Sequence, residues 1–372
     1  MKKVLYDNQA FDIQNVGGIS KQFVNLSKNL KNYIPDIAVE HTDNLFLKEI
    51  KEDINVYTNN TLYSLYKVSR QDYDIFHPTY YYTNFLSYIG DKPFVLTIHD
   101  MIVEKFSDIN NLSDDSKAQI IGKKILSQKC NKIIAVSEHT KKDIINILKV
   151  PADKIEVCYN GVDQHFADKE DSEMTKHLDF EYILYVGTRW GTKNFNMLYD
   201  EFKNNIHKKY PNLKLVLVGT KLFQSEIDRF KNDGMFKYIK SYSDISDIQL
   251  ATIYKHAKCF IFPSIYEGFG IPIVEAFMCK CPVLLNNTSC FPEIGKDAAL
   301  YFNLTNKAND FMEVFDKFMN MSESEVKKIT DKGFEYSKEY TWENFAEKVE
   351  KVYDEVLANK GKKEIKYNFV KV

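Results

Sequence analysis

Hydrophobic positions along the chain fall into two patterns. MKKVLY (1–6), PFVLTI (93–98), IIAVS (133–137), FEYILYVGT (180–188), LKLVLVG (213–219), KCFIFP (258–263) and CPVLLNN (281–287) are short, nearly continuous apolar runs. Such runs predict strands buried on both faces. Between them, apolar residues recur every third or fourth position, as in Ile19, Phe23, Leu26 and Leu30, in 116–129, in 138–148 and in TWENFAEKVEKVYDEVLA (341–358). That spacing predicts amphipathic helices. IAVEHT and INVY, between 36 and 60, read as two further strands with a helix between them.

Strands that alternate with helices predict parallel sheets with helices on both faces. The alternation runs in two sets, separated by the polar stretch 164–179. The expected fold class is therefore α/β, with two Rossmann-like α/β/α domains and a cleft between them. The expected bounds are 1–165 and 166–345, with 346–372 a final helix and tail packing back on the first domain.

Composition narrows the setting. The 372 residues are 44% hydrophobic and 27% charged, and 50 basic residues nearly cancel 52 acidic ones, so no global field draws in nucleic acid. Arginine is scarce, at Arg70, Arg189 and Arg229 only, which makes each one worth placing. Six cysteines (130, 158, 259, 279, 281, 290) lack paired metal spacing and read as reduced, buried thiols. The N-terminus has no signal-peptide apolar core, and no run approaches the roughly 20 residues of a spanning helix. The expected location is cytoplasmic, with the inner face of the membrane as the alternative. Residues 117–154 hold nine lysines against three acids, either a solvated face or a weak peripheral contact with anionic lipid or a glycan carrier.

The candidate chemistry centres on SIYEGFGIPIVEAF (264–277). A strand, a Gly-Phe-Gly turn and a helix opening on Pro272 at its first position converge backbone N–H groups on an anion. Glu267 and Glu275 flank the turn and can hold hydroxyls, which suits a sugar joined to a phosphate. RWGTKN (189–194) follows a strand and offers Arg189 and Lys193, the cations a diphosphate needs. Gly17-Gly18, after the first strand and at a helix start, is either a second phosphate cradle or a tight turn. His99-Asp100 falls at the carboxyl end of a central strand, where ligands sit in doubly wound folds. His77 and Tyr80–Tyr82 read as an aromatic acceptor wall or as core. Asp72-Tyr-Asp74 is either a metal-binding triplet or a cap on the next strand.

YVGTRWGTKN, SIYEGFGIPIVEA and PVLLNNTSCFPEIGKDAALYF, preceded by VGGIS, TIHD, AVSEHTKKDI and KIEVCYNGVD, resemble the family 4 retaining glycosyltransferases of the GT-B fold over residues 1 to 356. The resemblance implies a nucleotide-diphosphate sugar as co-substrate, with no cofactor and no metal, and a saccharide or lipid-linked acceptor in surface polysaccharide biosynthesis. Glu267 would contact the donor sugar, and Gly268, Phe269, Gly270 and Ile271 would bring amides to sugar and phosphate. Glu275 would take the ribose hydroxyls, while Arg189 and Lys193 would neutralise the leaving diphosphate. The tight spacing of that pair ranks Lys193 below Arg189. Gly17 and Gly18 would approach the diphosphate, and His99 the reacting sugar. His77, Tyr80 and Tyr81 would line the acceptor side.

Rival expectations are a phosphorylase or hydrolase on the same scaffold, or a nucleotide-sugar-binding protein without catalysis. A nicotinamide oxidoreductase is disfavoured, because Gly268-Phe-Gly270 lacks the third glycine of the dinucleotide fingerprint.

Overall fold

The computed structural model describes residues 1–13, 17–40, 43–50, 54–58, 62–106, 112–168, 172–304 and 310–359. The chain divides into two compact units, Met1–Gly161 with Trp342–Val372, and Val162–Thr341.

The first unit carries β1 (Lys2–Tyr6), β2 (Tyr33–Val39), β3 (Asn55–Thr58), β4 (Ile75–His77), β5 (Val95–Ile98), β6 (Lys132–Ala135) and β7 (Ile155–Val157). Strands β3-β2-β1-β4 form one parallel group and β5-β6-β7 another. A parallel bridge between Phe76 and Phe94 joins them. The resulting order, β3-β2-β1-β4-β5-β6-β7, turns back between β1 and β4. Val4, Leu5 and Tyr6 are at most 1% exposed, as a strand covered on both faces requires.

One of those faces is covered by the end of the chain. The helix Trp342–Ala358 sends Trp342, Phe345, Val349, Val352, Tyr353 and Val356 into the core that holds β1, β2 and the helix Gly18–Asn29. These positions follow the helical period seen in the sequence. Gly161 lets the chain pass close to the start of this helix, since a Cβ there would lie 2.5 Å from the Trp342 nitrogen. The helix thus begins four residues before the expected boundary at 346. Glu350 accepts the N–H groups of Lys31 and Asn32, each at 2.7 Å, and Asp354 accepts from the Tyr33 hydroxyl at 2.7 Å. The basic tail beyond Gly361 lies outside the described residues.

The second unit is one six-stranded parallel sheet. Its strands are β8 (Tyr182–Val186), β9 (Lys214–Val218), β10 (Ile239–Tyr242), β11 (Cys259–Phe262), β12 (Val283–Asn286) and β13 (Leu300–Phe302). Their order is β10-β9-β8-β11-β12-β13. That is the doubly wound arrangement, whose direction reverses between β8 and β11 and opens a crevice at the carboxyl ends of those strands. All six cysteines are buried free thiols. Among the described residues no helix is long and apolar enough to cross a membrane.

Candidate functional site

The crevice of the second sheet is built by the segments leaving β8 and β11. After β8 the chain forms a single turn of 3-10 helix, Gly191–Lys193, and Asn194 takes the left-handed conformation, φ 52°, before the helix Phe195–Glu201. The Asn194 amide donates to the Pro263 carbonyl at 3.2 Å. The Ile265 N–H donates to the Thr192 carbonyl at 2.8 Å, so the two segments are tied together.

After β11, Gly270 heads the helix Ile271–Met278 with φ 91°, a value that a side chain would strain. A Cβ there would also crowd Ile273 at 3.0 Å. Pro272 is the second helical residue rather than the first, which leaves the Ile271 N–H at the head of the helix. N–H groups at this end lack partners within the helix and carry its positive pole.

Across this opening Lys193 and Glu267 meet, with Nζ and Oε1 2.6 Å apart. The ammonium also lies 5.3 Å from the centre of the Phe262 ring. Glu267 is 9% exposed. Its backbone is held by Ser289, which accepts from the Glu267 N–H at 3.1 Å and donates to its carbonyl at 2.7 Å. Cys290 Sγ adds contacts to the carbonyls of Glu267, at 3.3 Å, and Phe269, at 3.1 Å. Gly268 continues the turn, and the Phe269 ring packs on Tyr340. Glu275, half-buried on the helix, accepts from the Tyr254 hydroxyl at 3.2 Å.

Arg189 corrects the ranking drawn from the sequence. Its side chain is 1% exposed and pairs with Glu226, with Nε to Oε1 at 2.6 Å and Nη2 to Oε2 at 2.8 Å. Nη1 and Nη2 also donate to the carbonyls of Thr220, at 2.8 Å, and Lys221, at 3.1 Å. Four of the five guanidinium N–H groups are thereby engaged. Burial pushes the Glu226 carboxyl up, but the Arg189 hydrogen bonds outweigh it and hold the group ionised. Arg189 braces the start of the helix Gln224–Asn232, and Lys193 is the cation at the crevice.

In the first unit, Gly17 is extended and Gly18 opens the helix Gly18–Asn29 with no side-chain cap. Among the described residues, a Cβ on Gly18 would meet nothing within 4 Å. His99 follows β5. Its Nε2 is buried without a hydrogen-bond partner among the described residues, and its backbone N–H donates to the Tyr81 hydroxyl at 3.1 Å. Burial lowers the His99 pKa to about 4, with Asp100 opposing and Lys123 reinforcing, so the imidazole is neutral near pH 7.

His77 and Tyr81 are core, not a ligand wall. His77 is 1% exposed, with Nδ1 2.7 Å from the Tyr353 hydroxyl and Nε2 2.9 Å from Thr97 Oγ1. Tyr81 is 3% exposed beneath the His99 backbone. Tyr80 is half-buried against Tyr81. The Asp72/Asp74 triplet serves strand entry, as Asp74 accepts from the Lys3 N–H at 2.7 Å and Asp72 pairs with the Lys3 ammonium at 3.4 Å. In the lysine-rich segment, Lys123 is buried against Glu104 at 3.1 Å and Lys132 pairs with Glu355 at 2.8 Å.

Sequence patterns pass over a second polar group, where β1 and β4 end. Asp7, 2% exposed, accepts from the Thr79 N–H and hydroxyl, each at 2.8 Å, and from Gln9 Nε2 at 2.7 Å. Burial raises its pKa to about 6 against those bonds. Gln9 in turn accepts from the Tyr82 N–H at 2.8 Å. These single polar residues form no motif, and only the strand order brings them together. Among the described residues one set of side chains could hold a metal ion, Asp163, His165 and Asp247, whose ligand atoms lie within 4.8 Å of one another. None of the three belongs to the crevice residues above.

Comparison with known proteins adds to this geometry. Residues 167–335 match the family model Glycosyl transferases group 1, and residues 45–166 match Glycosyltransferase Family 4. The chain is 27% identical over 226 residues to the O-antigen chain mannosyltransferase B of Escherichia coli, covering 57% of each chain. It is 29% identical over 183 residues to the O-antigen chain mannosyltransferase RfbU of Salmonella typhimurium, covering 48% of this chain and 49% of that one. The matches thus span about half the length of these curated relatives. Among solved structures, Anabaena Alr3699/HepE in complex with UDP and glucose superposes with a TM-score of 0.75 at 16% identity, covering 95% of this chain and 100% of that one.

Proposed function

The chain belongs to the family 4 glycosyltransferases, with the GT-B fold of two parallel α/β domains, and we propose from that premise that it moves a hexosyl unit, mannosyl or similar, from a nucleotide-diphosphate sugar to a saccharide or lipid-linked glycan acceptor, with retention of configuration. The observation that carries the proposal is the Lys193–Glu267 pair in the switch-point crevice, beside the head of the helix Ile271–Met278. The O-antigen mannosyltransferase relatives support polysaccharide biosynthesis as the setting.

The chemistry follows from charge. As the bond between the anomeric carbon and the phosphate oxygen breaks, negative charge grows on the leaving diphosphate and positive charge on the sugar. Lys193 and the helix N-terminus face the first charge, in a crevice where such groups are already oriented. Glu267 gives up its ion pair as Lys193 turns to phosphate, and then accepts from the sugar hydroxyls. Glu275 accepts from the ribose hydroxyls. In front-face attack the acceptor oxygen bonds to the anomeric carbon while its proton passes to the departing phosphate oxygen. No resident cofactor enters this scheme.

A thermal-shift screen with UDP-, GDP-, ADP- and dTDP-sugars tests the donor class. One nucleotide series should raise the unfolding temperature, UDP-sugars being tried first because the HepE structure holds UDP. No shift with any of the four would overturn the proposal. The anomeric proton coupling of the product, read by NMR, decides between retention and inversion.

A further inference from the structure

The start of the second unit carries a group of side chains that the crevice does not use. Asp163, His165 and Asp247 each offer a ligand atom, all within 4.8 Å of one another. Packing on both sides sets their placement. The Val162 N–H donates to the Tyr340 carbonyl at 2.9 Å, and the chain then makes a 3-10 turn, Gln164–Ala167. Phe166 anchors that turn, being 1% exposed and edge-on to Tyr254, and its carbonyl accepts from the Cys279 thiol at 3.3 Å. The His165 ring stacks on Phe166, with centroids 4.8 Å apart and planes 29° from parallel, which orients the imidazole. Across from it, Asp247 is the first residue of the helix Asp247–His256. Ser246 accepts from the Gln249 N–H at 3.3 Å and Gln249 accepts from the Ser246 N–H at 2.8 Å, so that helix is capped without Asp247. The turn Gln164–Ala167 likewise takes no side-chain cap from Asp163.

Spacing selects the ligand. His165 Nε2 lies 3.5 Å from Asp247 Oδ2, and this buried atom has no hydrogen-bond partner among the described residues. That separation is long for a hydrogen bond. It matches the edge of a tetrahedron, since two ligands about 2.1 Å from a zinc ion stand about 3.4 Å apart. Octahedral magnesium, at about 2.1 Å, would set them about 3.0 Å apart and asks for oxygen ligands. One imidazole and two carboxylates suit zinc and its neighbours among the divalent transition metals. One oxygen of each carboxylate suffices, so the second oxygen keeps whatever else it meets. All three residues are half-buried, which leaves an entry path and a fourth position for water. We propose that Asp163, His165 and Asp247 form a structural zinc-type site that ties the segment opening the second unit to the helix Asp247–His256. The site stands independently of the transferase reading and asks nothing of the crevice.

The test uses the full chain, dialysed against a chelator, with zinc and cobalt(II) ions as probes. Titration calorimetry should show zinc bound at a micromolar Kd, and bound cobalt(II) should give the intense visible absorption of a four-coordinate ion. Magnesium and calcium should not displace either. His165→Phe keeps a ring stacked on Phe166 and removes the ligand atom. Asp247→Asn keeps the side-chain shape and removes the charge, at a helix start that is already capped. Each should weaken zinc binding at least about tenfold, since even outer-shell partners of a metal are worth that much. Each should also cancel the rise in unfolding temperature that zinc gives the wild type. The cobalt spectrum of the wild type decides the coordination without either variant. The proposal is overturned if zinc does not bind at micromolar concentration, if bound cobalt(II) shows the weak absorption of a six-coordinate ion, if magnesium or calcium displaces zinc, or if either variant binds zinc as the wild type does.

Discussion

At the turning point of the C-terminal sheet, a lysine stands beside a helix N-terminus, and one carboxylate is spoken for by that lysine. Past the ends of β1 and β2 in the N-terminal sheet, three acids line a cavity without a described cation. Two sheets of the same strand order therefore place different side chains past their strand ends, a lysine in one and three acids in the other. The backbone supplies the opening, and the residues placed just past the strand ends decide what enters it. Side-chain chemistry, more than fold, separates the two openings.

The sharpest way to break this contrast is to remove the cation. Lys193→Ala and Glu267→Ala should each lower kcat/KM at least about 100-fold, by loss of contacts to the developing charge. Near-normal steady-state kinetics for Lys193→Ala would mean that the crevice does not act on a diphosphate. Glu275→Ala should instead raise the donor KM with a smaller change in kcat.

Arg189→Ala sharpens the contrast from the other side, because it removes a cation that braces the fold and does not face the crevice. Glu226 would lose its partner in a part-buried pair, which costs about 3 kcal/mol when one member is removed. The unfolding temperature should fall by roughly 6–12 °C, read by circular dichroism, while the folded fraction keeps most of its turnover. A 100-fold loss of turnover at unchanged unfolding temperature would return Arg189 to the diphosphate. The pair also has a pH signature. Glu226 is held below its unfolded pKa, so its contribution is present above that value and is lost as pH falls through the folded one.

How far the sequence carried these conclusions depends on whether a feature is local. Strand, turn and helix around Glu267 occupy 20 consecutive residues, 259 to 278, and their pattern was legible together with the anion chemistry it implies. The direction of Arg189 was not, because it is set by Glu226, 37 positions away, in a segment with no distinguishing pattern. His77 and Tyr81 looked like ligand residues because a strand end followed by tyrosines is ambiguous until its cover is known. The cover of His77 is Tyr353, 276 positions on, and no local rule reaches it. The cavity around Ser64 was invisible for the same reason, being assembled from the ends of β1 and β2 and the helix Tyr63–Arg70.

The buried His77 gives the next test, now within the N-terminal unit. Burial pushes its pKa down to about 3, with His99 adding to the effect, against 6.5 for the free side chain. The unfolded chain therefore binds a proton that the folded one refuses. The resulting stability is complete above about pH 6.5 and is lost progressively as pH falls toward 3. His77→Gln should reduce the slope of unfolding free energy against pH by about 1.4 kcal/mol per unit between about pH 4 and 6. Denaturant titrations across that range measure it. An unchanged slope would mean that the ring is charged or exposed in the fold.

The smallest expected effect probes the acid-lined cavity of the N-terminal unit, with a methyl glycoside as the ligand. Tyr82 lines the cavity and donates its hydroxyl to Asp115 at 2.8 Å, an exposed contact. Tyr82→Phe keeps the ring and loses only that exposed bond to Asp115, so glycoside Kd should change by less than about twofold. Tyr82→Ala removes the ring and with it about 1.4 kcal/mol of contact, or tenfold in Kd. If the two variants weaken the glycoside equally, the hydroxyl and not the ring makes the contact, and the sugar sits against Asp115 at the rim. If only the alanine variant weakens it, the ring is a wall against which the sugar packs.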